Sequence, residues 1–289
     1  MEKERIEICW ESRTQVRARS LLHYNIPHPR PERTYKAFTT PTYSGKMTDH
    51  AARRIRKTID LFVQLSPPKI VHNDVTNSPM KFQLNFITLT ISSPDIVPCR
   101  DAYNNLLAPF LRKLRKFGKI SYVWKGEFQK RGQPHYHITT NCFINWTWVR
   151  NEWNNLQRKH GYLAHYEAEH GHGNAPSTEV LAVRKLKRFD LYLAKYLSKG
   201  DPTKQWVGKV WGCSDNLRTG KQFTFTEAPE DWAHENECVE LGLGRVIRFD
   251  NFTLTEADEP RKILCPAREM ELSAHLKQVS AGTMATGKP

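Results

Sequence analysis

Hydrophobic and polar positions change period along the chain, and each change marks an element. Residues 83–92 (QLNFITLTIS) alternate and are rich in β-formers, which predicts a strand. Leu106, Leu107, Phe110, Leu111 and Leu114 then recur at helical spacing, predicting a helix over 101–117 that Gly118 stops. Strand patterns follow at 119–128 and 134–143, separated by the turn Lys130-Arg131-Gly132-Gln133. A second helix is predicted over 148–160, ended by Gly161, with shorter strands over 162–169 and 178–183. A third helix over 184–199 stops at Gly200, the usual position for a left-handed cap. The order β-α-β-β-α-β-β-α predicts an α+β fold: a central antiparallel sheet with flanking helices, on a ferredoxin-like or RRM-like plan.

Around this core the signals are weaker. Residues 1–46 carry Pro27, Pro29, Pro31 and Pro41 among Arg, Ser and Thr, and read as a basic flexible arm. Residues 47–80 read as a linker containing a helix, capped by Thr48, basic on one side and ended by Pro67-Pro68. The core spans 81–218. A C-terminal α/β extension over 219–270 holds a short helix near 226–235 and one or two strands over 244–255, and 271–289 reads as a disordered tail.

Charge changes the picture. The 289 residues carry a formal net charge of +14. Lys and Arg dominate 111–130 and 181–200, whereas acidic residues dominate 226–260. Basic charge gathered around particular segments favours a polyanion such as nucleic acid. Arg112, Lys113, Arg115 and Lys116 on one predicted helix, and Arg184, Lys185, Lys187 and Arg188 on another, are candidates for phosphate contacts. The six cysteines sit singly without a CxxC pair, which excludes a zinc ribbon or finger. With no apolar run of membrane-spanning length and no apolar leader at the N-terminus, a cytoplasmic protein without a membrane partner is expected.

Two motifs carry chemistry. In Gln133-Pro134-His135-Tyr136-His137-Ile138, the period of two places both histidines on one strand face. A hairpin would lay Glu127 beside them, giving two imidazoles and a carboxylate, a donor set that suits Mn²⁺ or Mg²⁺. The irregular group His160, His165, His170 and His172 lacks such support and reads as solvated loop histidines. The second motif is Tyr192-Leu193-Ala194-Lys195-Tyr196-Leu197-Ser198-Lys199. On a helix its tyrosines share one face, with Lys195 and Lys199 close by. An ammonium favours the phenolate, so a metal pair and a tyrosine–lysine helix together point to phosphodiester cleavage by a tyrosine nucleophile. An amphipathic helix with half-buried tyrosines is the plainer alternative for the second motif.

These residues resemble the HUH endonuclease superfamily of rolling-circle replication initiators and relaxases. His135-Tyr136-His137 is similar to its metal motif, Gly126-Glu127 to the pair preceding it, and Phe86-Ile87-Thr88-Leu89-Thr90 to its first strand motif. The overlapping pair Tyr192/Lys195 and Tyr196/Lys199 looks most like the initiators of small single-stranded DNA bacteriophages, the microvirus type, and related plasmids. Trp211-Gly212-Cys213-Ser214 with Leu217 resembles a segment that follows the tyrosine helix in that group.

The resemblance covers about 82–217 and makes 81–218 an endonuclease domain. It implies site-specific nicking of single-stranded origin DNA in hairpin form, with a 5′-phosphotyrosine link, a free 3′-OH and later rejoining. It implies Tyr192 or Tyr196 as nucleophile, with Tyr192 favoured first, and assistance from Lys195 or Lys199. The absence of a GxxxxGK[ST] segment implies a host helicase and polymerase as partners in a bacterial cell. The alternatives are an HUH transposase or mobilisation relaxase, and a non-catalytic nucleic-acid binder on an RRM-like sheet.

Overall fold

A computed structural model describes residues 9–28, 48–73, 77–183 and 206–282. The chain forms two units: one is Tyr43–Gly220 with Ser280–Pro289, the other joins the flanking parts Met1–Thr42 and Lys221–Val279. In chain order the strands are β1 (Cys9–Val16), β2 (Ser20–His28), β3 (Lys69–Asn73), β4 (Ser78–Phe82), β5 (Leu84–Thr90), β6 (Tyr122–Phe128), β7 (Pro134–Thr140), β8 (Thr178–Val183), β9 (Trp211–Cys213), β10 (Thr224–Thr226), β11 (Arg245–Phe249) and β12 (Phe252–Glu256). The fold is α+β, with antiparallel sheets and flanking helices.

The central unit is built on the sheet β8-β5-β7-β6-β9, every pairing antiparallel. Inserting β7 between β5 and β6 is the strand order of a split βαβ unit. Period-two alternation divides its side chains. Ile87, Leu89, Tyr122, Trp124, Tyr136 and Ile138 point to one face and form a core with Leu106, Phe110, Leu114, Val149 and Trp153. That face is covered by the helical stretch 99–117, which includes a π-helical segment (Ala102–Leu107), and by the helix Trp146–Lys159, capped by Asn145. The Trp153 indole donates to Thr90 O at 2.6 Å, tying the second helix to the sheet.

The helix Asp49–Gln64 begins where Thr48 accepts from the Ala51 amide, as its sequence indicates. Its buried Ile55, Ile59 and Phe62 lie outside the core just described, as do Leu84 and Val123, whose register turns them to the opposite sheet face. Asn141 donates to Leu65 O at 3.3 Å and Gln83 to Ser66 O at 2.9 Å, fixing the end of this helix where β5 starts and β7 ends. Helices therefore cover both faces of the sheet.

Three expectations change. Residues 162–169 hold no strand: Ala164–His170 is helical, because LAHYEAEH is rich in helix formers, and Gly171 closes it in the left-handed region at φ 68°. The arm expected over 1–46 contains the paired strands β1 and β2. The tail expected to be disordered over 271–289 contributes, through residue 281, to the helix Pro266–Ala281, which buries Leu272, Leu276 and Val279. The predicted helix over 184–199 lies outside the described residues.

In the second unit the sheet order is β10-β1-β2-β12-β11, so the two ends of the chain complete one sheet. Its interior holds an ionic cluster. His23, 5% exposed, lies between two carboxylates: Nδ1 is 2.8 Å from Glu227 Oε1, and Nε2 is 3.1 Å from Glu235 Oε1. Thr14 and Trp232 also donate to Glu227, and Thr255 donates to Glu235. Burial alone would lower the His23 pKa, but the bonds to Glu227 and Glu235 and their charges outweigh it and hold the imidazolium up to about 9. The same bonds hold the Glu227 carboxyl below its usual range despite burial.

The His23 contribution to stability is fully present below 6.5 and is lost as pH rises through about 9. The Glu227 contribution is lost as pH falls below the ordinary carboxylate range. Denaturant titrations at pH 6.5 and pH 10 should therefore show this unit weaker at the higher pH, by on the order of 3 kcal/mol. His23→Gln should flatten that difference; an unchanged alkaline loss in the variant would assign it to other groups.

Candidate metal centre

The hairpin β6–β7 places Glu127 directly opposite His135 and Lys125 opposite His137. β5 flanks β7 on its other side, with Thr90 opposite His135 and Thr88 opposite His137. All six side chains share the sheet face opposite the core of the 99–117 and 146–159 helices. Tyr136, between the histidines, points into that core and is fully buried, so an aromatic residue serves there as well as an aliphatic one. Gly126 has a packing reason. A Cβ there would stand 2.5 Å from the Trp206 indole, which lies against the strand and beside Tyr136.

Among the described residues, Glu127, His135 and His137 form the one group of three metal-ligating side chains that converge. His135 Nε2 is 2.8 Å from Glu127 Oε1, His137 Nε2 is 3.0 Å from the same oxygen, and the two ring nitrogens are 2.8 Å apart. Burial, the largest influence, holds the His137 pKa below the ordinary imidazole value against the opposing bond to Glu127. A neutral imidazole is the metal-binding form. Thr88 Oγ1 lies 3.2 Å from His137 Nδ1. With Nδ1–H donating to that hydroxyl, Nε2 turns its lone pair toward Glu127 and His135. Phe86 stacks on the same ring at 5.3 Å and fixes its plane. The result is three electron-rich atoms facing one point, an arrangement that a cation relieves.

The structure thus brings together the three residues expected to bind metal. It adds Thr88, which orients His137, and Lys125, 5% exposed on the same face. Both were readable from the period of two: Thr88 and Thr90 occupy alternate positions of FITLT, as Lys125 and Glu127 do of WKGEF. Tyr192, Tyr196, Lys195 and Lys199, and the basic Arg184, Lys185, Lys187 and Arg188, lie outside the described residues.

The other basic group is not brought to this site. Arg112, Lys113, Arg115 and Lys116 sit on the stretch that packs against the far face of the sheet. Arg115 donates to the Tyr122 hydroxyl at 2.9 and 3.1 Å, and Lys113 pairs with Glu152. The exposed His160, His165, His170 and His172 do not converge, and His170 instead stacks on Tyr166 at 4.1 Å. Of the tryptophans, Trp153 and Trp206 are core residues, whereas Trp146 is 48% exposed beside Arg150.

A strand-borne His/Glu triad on an antiparallel α+β sheet defines a candidate metal-binding protein. The model of a replication-associated protein family, the ORF2 type, matches residues 84–201 and supports a replication-initiator family for this chain. The match begins at β5, contains all three converging side chains and extends through Tyr192 and Tyr196. Comparison with curated proteins and with solved structures gave no match. Among the described residues, no helix is long and apolar enough to cross a membrane.

Proposed function

We propose that this chain is a replication initiator of the HUH type. It nicks single-stranded origin DNA by tyrosine attack on a phosphodiester and later rejoins the strand. The observation that carries this reading is the convergence of Glu127, His135 and His137 inside the segment matched by the replication-associated family. The tyrosine oxygen forms a bond to phosphorus as the bond to O3′ breaks. The phenolic proton leaves the enzyme's nucleophile, and the departing 3′ oxygen is protonated to a 3′-OH. The bond energy is kept as a 5′-phosphotyrosine, so rejoining needs no nucleotide cofactor. Tyr192 is the favoured first nucleophile and Tyr196 the second, with Lys195 or Lys199 stabilising the phenolate.

Glu127, His135 and His137 would hold a divalent ion, which when bound polarises a phosphate oxygen as a Lewis acid. Donor edges of 2.8, 2.8 and 3.0 Å fit an octahedral ion better than a tetrahedral one. Bonds of about 2.1 Å give adjacent-donor distances of about 3.0 Å in an octahedron and about 3.4 Å in a tetrahedron. This favours Mn²⁺ or Mg²⁺ over Zn²⁺. A sheet that only stacked bases would present exposed aromatic residues, yet Tyr122, Trp124 and Tyr136 are buried and Phe86 lies half-buried against His137.

The test is a covalent-adduct assay. The chain is mixed with hairpin-bearing single-stranded DNA from its own replicon, with Mn²⁺ or with EDTA, and run on a denaturing gel. A protein–DNA band is expected with Mn²⁺ alone. Binding that persists in EDTA, with no band under either condition, would leave a binding module in place of an enzyme.

A further inference from the structure

The basic group on the 99–117 stretch faces away from the metal ligands, and a different basic surface shares their face. Arg53, Arg54, Arg56 and Lys57 on the helix Asp49–Gln64 are all exposed, and none has a side-chain ion pair among the described residues. Four cations within five positions, without acidic partners, are costly through mutual repulsion and are relieved by an external polyanion.

The position of this helix gives the patch a direction. Its buried side belongs to the metal-bearing face, and Arg54 lies close enough to Cys213 to act on its thiol electrostatically. Cys213 pairs with Val123 and Trp211 pairs with Lys125, so these four share a face with Glu127. A path therefore runs from the basic helix across Cys213 and the half-buried Trp211, past Lys125, to Glu127, His135 and His137. It offers cations at its entrance, an aromatic ring on the way and a further cation beside the ligands. That succession suits a single strand whose phosphates are neutralised and whose bases stack.

We infer that single-stranded DNA reaches the metal ligands from the side of the helix Asp49–Gln64, held by Arg53, Arg54, Arg56 and Lys57, and passes over β9 and β6. The inference rests on the proposed function and names the surface that feeds its site.

The experiment measures binding of a fluorescent hairpin-tailed single strand to the full chain in EDTA, by anisotropy across a range of KCl concentrations. Arg53→Gln/Arg54→Gln/Arg56→Gln/Lys57→Gln keeps good helix formers at exposed positions. It should bind at least about tenfold more weakly at low salt, with a log–log salt slope shallower by about 3, from roughly 0.7 per lost phosphate contact. Arg53→Lys/Arg54→Lys/Arg56→Lys should keep the parent slope, because the role is one of charge. Arg112→Gln/Lys116→Gln, on the other sheet face, should also keep it. A thermal melt by circular dichroism checks that the glutamine variant is folded.

If the folded glutamine variant binds with the parent's slope while the parent still forms its Mn²⁺-dependent adduct, the path is wrong and the proposed function stands. If the parent neither binds the strand nor forms the adduct, both fall.

Discussion

Tyr192→Phe/Tyr196→Phe should form no covalent adduct with DNA under conditions where the parent chain does. The change removes two oxygens and little else, so helix propensity and apolar volume stay nearly constant. A phenol with a pKa of roughly 10 is a poor nucleophile at neutral pH, and the lysine three residues after each tyrosine answers that weakness by favouring the phenolate. The single variants should separate the roles. Tyr192→Phe should lose the first cut, while Tyr196→Phe should still cut once and fail to transfer the strand a second time. An adduct that survives in the double variant would remove both residues from the chemistry and send the search to another nucleophile.

How far the sequence leads depends on how local each signal is. The metal triad was legible because a strand has a period of two and the turn between β6 and β7 is short. Parity alone puts His135 and His137 together, and the hairpin brings Glu127 opposite His135. The same parity explains why Tyr136 is free to be any large core residue. The pairing of β1 and β2 with β10 and β12 was not legible, because those partners are some two hundred positions away and the strands carry few apolar residues of their own. A proline-bearing N-terminal segment then reads as a loose arm until its partners are known. The helix Ala164–His170 reads wrongly as a strand because an alternating stretch of Tyr, Leu, His and Glu also satisfies a helix when Ala and Glu dominate its middle. The basic side of the helix Asp49–Gln64 was visible, but its nearness to the metal face was not, since a charge pattern says nothing about the layer on which a helix settles.

His135→Ala and His137→Ala should each lower Mn²⁺-dependent nicking by about a thousandfold or more, the several kcal/mol that a polarising ion contributes. The argument is geometric. Three donors at mutual distances of 2.8–3.0 Å occupy one triangular face of a coordination shell and leave its other positions open for phosphate oxygens and water. Deleting one imidazole leaves two donors, a weak grip for an ion that competes with bulk hydration. Glu127→Gln keeps the shape but removes the one negative charge of the triad, so it should weaken Mn²⁺ binding while leaving the apo fold intact. Thr88→Val acts at one remove. It takes away the hydroxyl beside His137 Nδ1 and leaves all three donors, so about a 10- to 100-fold loss of Mn²⁺ affinity is expected, with nicking recoverable at high Mn²⁺. Calorimetry or electron paramagnetic resonance of Mn²⁺ with the DNA-free protein reads these affinities without reference to activity. Parent-like Mn²⁺ affinity in His137→Ala would place the ion elsewhere, and the triad would then be a hydrogen-bonded cluster of the sheet face.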